Sequence, residues 1–414
     1  MNAQITDARS AAVDRMTGRM PVVVVGGINY SPENNGNATL TVRELARGPR
    51  QVLNVHSPSH GSLIRRLQGR ARHLGARDVA RIAFGTTRAQ RVEEHLWLAP
   101  VQGLSAISPL DVPEAMRRRN VRIFARVIRE WLAEIGESEC LLLFYWWALP
   151  ELVDLVPCVA SVYDCTDDHR SAPGAFKRAS VGRLEDRLLD QVDRSYVVSP
   201  GLLDARAGAG RRITVLPTGF DLALFRQLET EGFDTPEVLH GLPHPIIGYA
   251  GAINGRMDWD LLRALADRRP EWSFVFVGGE PRAAPASLRD RGNVIFLRSM
   301  PYADALRVIS CFDVGMIPVR VSRFSRGNSF LKLLDYFAHG LPVVATPVAD
   351  TIGVLDTGDD LLYLASDVDG WLAALDQALE EPPTAGLRAQ RRLYVEARSA
   401  RRRVDTIVSQ ALAR

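Results

Sequence analysis

The stretch HPIIGYAGAINGRMDWDLLRALADRR, His244 to Arg269, contains the repeating unit of the fold. A β-type apolar run, HPIIGYAG, ends in glycine; a polar loop follows; then MDWDLLRALADRR places its apolar residues at helical spacing. The same order recurs downstream. WSFVFVGG, NVIFLRS, FDVGMIPV and LPVVATPV are strand-like runs, and PYADALRVIS is one of the helical segments between them. Runs so continuously apolar predict strands covered on both faces, which is the pattern of a parallel sheet.

An earlier series has the same grammar. PVVVVGG, QVLNVHS, CLLLFYW, CVASVYD and RSYVVS alternate with helical stretches such as ATLTVRELARG, VRIFARVIREWLAEIG and VGRLEDRLLDQVD. The α/β pattern therefore occurs twice, and it predicts two Rossmann-like doubly wound domains facing across a cleft, with ligands approaching the carboxyl ends of the strands. The expected division is a disordered extension over 1–20, an amino-terminal domain over 21–225, a linker over 226–243 and a carboxy-terminal domain over 244–385. The linker is placed where GFDLALFRQLETEGFDTPEVLHGLPHP turns polar and rich in glycine and proline. Residues 386–414 read as a basic amphipathic helix able to pack back across the domains.

Composition narrows the function. With 51 basic and 48 acidic side chains in 414 residues, the formal charge is only +3, too small for a protein that coats nucleic acid. Cys140, Cys158, Cys165 and Cys311 form no C-x-x-C pair, which suits reduced thiols in a cytoplasmic protein and predicts no zinc site. The first twenty residues lack an apolar core of the kind an export signal needs. CLLLFYWWALP, the longest apolar run, is about half of the roughly 20 residues of a spanning helix.

Gly26 and Gly27 close the first strand without a G-x-G-x-x-G pattern, so no dinucleotide site is expected there. Gly36 and Asn37, ahead of the first helix, suit either a phosphate or sugar-hydroxyl contact at exposed helix N–H groups or an ordinary capped loop.

Four stretches in this chain resemble the GT-B glycosyltransferases, and among them the bacterial polysaccharide enzymes of retaining family 4 and the polysaccharide glucuronosyltransferases. They are SYVVSPGLL with RRITVLPTGFD, IIGYAGAINGRMDWDLL, NVIFLRSMPYADAL and NSFLKLLDYFAHGLPVVAT, in the family's order from about Ser195 to Thr346. SVYDCTDDHR adds a weaker likeness to the acidic loop of the acceptor domain. The resemblance implies a metal-independent transferase with no cofactor, using a UDP- or GDP-linked sugar as donor.

Lys332 is one of two lysines in the chain. A compact ammonium can neutralise a leaving diphosphate where no metal does so, and arginine's planar fork is a poor substitute for it. Asp335, three residues on, shares its helix face and could accept from ribose hydroxyls. In family terms the pair matches the K-L-x-E-Y segment, with aspartate for glutamate. Asn254, Gly255 and Arg256 resemble the donor-phosphate loop, although the lysine expected after the arginine is missing and Asp258 stands near. Ser299, Met300 and Tyr302 resemble the segment that meets the base. The E-x7-E pattern is broken, because Gly327 stands eight residues before Asp335. Arg326, Gly327, Asn328 and Ser329 could still bind sugar or phosphate through amides. Stereochemistry is open on this reading.

For base-assisted attack by an acceptor hydroxyl, the expected carboxylate is Asp167, followed by Asp168 and Asp164; a helix-capping turn is the alternative. An arginine-rich stretch including Arg65, Arg66, Arg70 and Arg72, and a second in MRRRNVRIFARVIRE, suit either a solvated face or an anionic membrane surface. The expected partners are a nucleotide-sugar donor and a lipid-linked or glycan acceptor, at the cytoplasmic face of the plasma membrane and without nucleic acid. A GT-B sugar-nucleotide epimerase and a catalytically silent GT-B subunit are the alternatives.

Overall fold

The computed structural model describes residues 18–26, 35–56, 88–101, 114–171, 175–279, 284–321, 331–348, 361–381 and 385–413. Both expected sheets form. One unit comprises the strand at Val22–Val25, Gly36–Leu216 and Arg403–Arg414; the other comprises Pro217–Arg402.

In the first unit, eight strands run in the order β3-β4-β2-β1-β5-β6-β7-β8. These are β1 (Val22–Val25), β2 (Val52–His56), β3 (Gln90–Arg91), β4 (Leu96–Pro100), β5 (Cys140–Phe144), β6 (Cys158–Cys165), β7 (Arg194–Val197) and β8 (Ile213–Val215). Every pairing is parallel except that of β3 with β4. All four residues of β1 and all five of β5 are buried, as runs without alternation require. Strands β3, β4 and β8 were not read from the sequence; β3 is two exposed residues, and HLWLAP and ITV are too short for a period to show. Helices α1 (Asn37–Ala46), α2 (Glu114–Glu134), α3 (Leu152–Leu155), α4 (Ala175–Gln191) and α5 (Pro200–Asp204) connect them.

The second unit has six strands in the order β11-β10-β9-β12-β13-β14: β9 (Ile246–Ala250), β10 (Ser273–Val277), β11 (Val294–Leu297), β12 (Val314–Ile317), β13 (Val343–Ala345) and β14 (Tyr363–Leu364). The pairings are all parallel. The chain winds from β9 outward to β11, then returns to β12 on the other side of β9, so the order reverses between β9 and β12.

These two strands pair only at Ile247 with Val314 and Gly248 with Gly315. Beyond that, a side chain replaces the ladder: the Ala250 amide donates to the Tyr336 hydroxyl at 2.8 Å, and that hydroxyl donates to the Met316 carbonyl at 3.3 Å. The paired glycines make room for rings. A Cβ on Gly315 would lie 2.6 Å from the Tyr336 ring, and one on Gly248 would overlap Phe312.

Two boundaries differ from the sequence reading. The units divide at Leu216/Pro217, and most of the expected linker is structured. Asp221 caps α6 (Leu222–Glu231) by accepting from the Leu224 amide at 3.1 Å, and Phe225 and Leu228 are buried in the second unit's core. The polar residues of that stretch lie on the helix's outer side, which disguised it as a linker. The single terminal helix is in fact two, α12 (Ala385–Glu396) and α13 (Ala400–Leu412), after α7 (Trp259–Arg268), α8 (Ala286–Arg289), α9 (Tyr302–Ile309), α10 (Leu331–Ala338) and α11 (Val368–Glu380). The break is set by backbone pairing of Arg398 and Ala400 with Phe220. All four cysteines are free thiols.

Candidate functional site

The second unit's order reverses between β9 and β12, and the loops leaving the carboxyl ends of its strands bring several expected residues together. Leaving β9, Gly251 takes φ +142°, a conformation that L side chains rarely adopt, and a Cβ there would come within 2.9 Å of the Lys332 Cε. The lysine stem fills the space that Gly251 leaves. Its Nζ lies 5.4 Å from the centre of the Tyr249 ring.

The following loop is held at both ends. The Tyr249 hydroxyl donates to the Ala252 carbonyl at 3.1 Å, and the Arg256 amide donates to Asn254 Oδ1 at 2.9 Å. The Arg320 amide donates to the Arg256 carbonyl, and the Asp258 amide donates to Pro318. Gly255 and the Arg256 side chain are exposed. Asp258, which stands near the expected second lysine, caps α7 by accepting from the Leu261 amide. Its role there is structural.

At the end of β10, Gly278 and Gly279 have φ +112° and +87°, and the Gly279 amide donates to Ser299 Oγ at 2.8 Å. Ser299 follows β11, so the ends of β10 and β11 are tied together. Met300 packs on the core, and Tyr302 is buried with its hydroxyl donating to Asp335 Oδ1 at 2.7 Å. The two residues were expected separately; the fold makes them one pair. Burial pushes the Asp335 carboxyl up to about 7, against the opposing effects of the Tyr302 hydrogen bond and the Lys332 charge. Arg326, Gly327, Asn328 and Ser329 lie outside the described residues.

The acidic loop of the first unit divides into unlike parts. Asp164, at the end of β6, is fully buried and accepts two hydrogen bonds from the Arg403 guanidinium at 2.6 and 2.7 Å. Asp168 is buried too, accepting from Arg206 at 3.3 Å and from the Ser171 hydroxyl. Arg206 is also bound to the buried Glu185. Asp167 is half-buried, the most accessible of the three. Elsewhere in this unit, Gly36 caps α1 in extended geometry, its carbonyl accepting from Leu40, and Asn37 begins the helix.

Arg65, Arg66, Arg70 and Arg72 lie outside the described residues. The second arginine cluster lies on α2, where Arg118, Arg119, Arg122, Arg126 and Arg129 are exposed and Val121, Phe124, Val127, Ile128 and Trp131 are buried. Among the described residues no helix is long and apolar enough to cross a membrane.

Tyr249, Gly251, Gly278 and Gly279 were not singled out from the sequence. The available signal was the small residue closing each of the runs IIGYAG and FVFVGG, where a parallel strand ends and a loop begins.

Known proteins share part of this sequence and its fold. Residues 244–381, which contain Gly251, Arg256, Ser299, Lys332 and Asp335, match the family model of glycosyl transferases group 1. TuaH of Bacillus subtilis, described as a teichuronic acid biosynthesis glycosyltransferase, is 23% identical over 235 residues, 53% of this chain. The match spans 58% of that relative's length. Similar solved structures include a sucrose-phosphate synthase of Thermosynechococcus elongatus, with a TM-score of 0.63 at 15% identity over 95% of this chain and 98% of that one. Another is the E. coli trehalose-6-phosphate protein bound with UDP-2-fluoro glucose, at 0.64 and 12%, over 95% and 99%. The fold is GT-B, and these findings bear out the resemblance to GT-B glycosyltransferases of the bacterial polysaccharide type.

Proposed function

We propose that this chain is a glycosyltransferase that moves a hexosyl or glucuronosyl group from a nucleotide diphosphate sugar to a lipid-linked glycan or polysaccharide precursor. The observation that carries the reading is the convergence of Lys332, Gly251 and the 251–256 loop at the strand-order reversal of the second sheet. Such a crevice is where open α/β sheets take their ligands. Lys332 offers a point charge to the diphosphate, Arg256 a second cation, and the backbone after Gly251 can approach phosphate closely.

In the transfer step the acceptor hydroxyl oxygen attacks the anomeric carbon as the bond from that carbon to the diphosphate oxygen breaks. The nucleoside diphosphate leaves with the bonding pair, and Asp167 takes the hydroxyl proton. Asp167 is favoured because it is the most accessible of the three aspartates. Cations alone neutralise the leaving group in this scheme, without a metal. The teichuronic acid description of the Bacillus subtilis relative supports an anionic polysaccharide product. The exposed arginines of α2 suit an anionic surface at the inner face of the membrane, where a lipid-linked acceptor would lie.

The test is titration calorimetry with UDP, GDP and their sugar conjugates, followed by transfer assays with the donor that binds. Binding of one diphosphate, and weaker binding of its monophosphate, is the expected result. Absence of binding by the whole panel overturns the donor-site reading.

A further inference from the structure

Tyr249 occupies a strand-end position where an apolar side chain would satisfy the core, yet its ring and its hydroxyl have separate partners. The residue is 3% exposed. Its ring lies under the Lys332 ammonium, and its hydroxyl fixes the Ala252 carbonyl, at the start of the loop that carries Arg256. A Cβ on Gly251 would be 2.9 Å from Lys332 Cε and 3.3 Å from the Tyr249 oxygen. Tyrosine, lysine stem and glycine backbone therefore share one packing volume.

Arg256 is also within electrostatic reach. Burial holds the Tyr249 phenol well above its ordinary value, and the Arg256 charge pulls it back.

A lysine loses rotamer freedom when it is ordered, and a ligand that must order it binds more weakly by that cost. An ammonium held over an aromatic face by the ring quadrupole has already lost part of that freedom. We infer that Tyr249 is a positioning residue that holds Lys332 and the 251–256 loop in register for one nucleoside diphosphate, the ring orienting the ammonium and the hydroxyl fixing the loop. This rests on the donor-site reading and deepens it.

Two double-mutant cycles test it, by calorimetry with UDP, GDP and the corresponding monophosphates. Lys332→Ala should lower affinity for the preferred diphosphate about tenfold or more. Tyr249→Leu should lower it roughly 3–10-fold in the parent but less than about twofold in the Lys332→Ala background, because the two act as a unit. Tyr249→Phe keeps the ring and should lose about 2–3-fold, an effect that disappears in the Arg256→Ala background. Monophosphate affinity should move less than diphosphate affinity throughout.

A purely structural tyrosine would instead weaken both nucleotides alike and add to both partner mutations, and that outcome overturns the inference. If Tyr249→Leu does not fold, the Tyr249→Phe and Arg256→Ala cycle decides alone, additivity there being fatal. If Lys332→Ala leaves every diphosphate unaffected, the donor site itself is wrong. If Lys332→Ala weakens binding and the Tyr249 cycles are additive, only the positioning role falls.

Discussion

Asp164 and Asp335 are both buried aspartates near the carboxyl ends of parallel strands, one in each unit, and they are treated in opposite ways. Asp164 meets a guanidinium fork from α13 that returns two charge-assisted hydrogen bonds, the geometry in which a buried carboxylate can keep its charge. Asp335 receives one phenolic hydroxyl and a lysine at some remove, and its carboxyl rises to about 7. The first arrangement holds a helix onto a sheet. The second keeps an under-compensated acid beside the proposed donor site, which is where proteins tolerate such costs.

The acidic loop next to Asp164 gives the largest expected effect. Asp167→Asn removes a base without changing shape, and transfer should fall by roughly 10²–10⁴, measured with saturating donor, while nucleotide affinity stays at the parent value. If Asp167→Asn transfers at the parent rate, this loop is structural throughout and resembles Asp164 in every member.

Next is the paired aspartate itself. Arg403→Met leaves Asp164 buried without its counter-charge, and the first urea-unfolding transition should lose about 3–5 kcal/mol. An unchanged midpoint would mean that water reaches Asp164 and that the contrast with Asp335 is one of degree.

For Asp335 the expected sign is the reverse. Its folded pKa is raised, so the folded state holds the proton more tightly than the unfolded chain, and stability falls as pH rises from about 4 to about 7. Asp335→Asn removes that loss. It should raise stability at pH 8 by on the order of 2–4 kcal/mol and make no difference near pH 4, as thermal melts across that range will show. Equal gains at both pH values would assign the effect to packing.

The smallest effect concerns the cation that faces Asp335 on the same helix. Lys332→Ala should weaken nucleoside diphosphate binding by roughly 1.5–3 kcal/mol with the fold intact. Affinity within twofold of the parent would remove Lys332 from the donor site and leave Asp335 without its proposed purpose.

Much of this was legible in the residues. The two strand series announced two sheets because buried parallel strands are apolar on every residue, and the scarcity of lysine pointed to Lys332 before its surroundings were known. What could not be read was pairing at a distance. Nothing local to SVYDCTDD separates Asp164 from Asp167; the difference is Arg403, some 239 positions along the chain. Likewise Tyr249 reads as one more apolar strand residue until α10 brings Lys332 over its ring. The helix Leu222–Glu231 was missed for a more ordinary reason, since only Phe225 and Leu228 are fully buried in it and the glycine and proline around it suggested a loop.

The two glycines that face each other at β9 and β12 also constrain the history of the protein. Gly248 admits Phe312 and Gly315 admits Tyr336, and the Tyr336 hydroxyl replaces the missing strand ladder between Ala250 and Met316. Neither slot can be filled alone, because a methyl group would displace a ring, nor can a ring shrink without opening a void next to the strand ends. Related chains should therefore exchange these residues as matched sets, and a library designed to change the nucleotide preference should diversify the outer loops while leaving the four positions as a single inherited block.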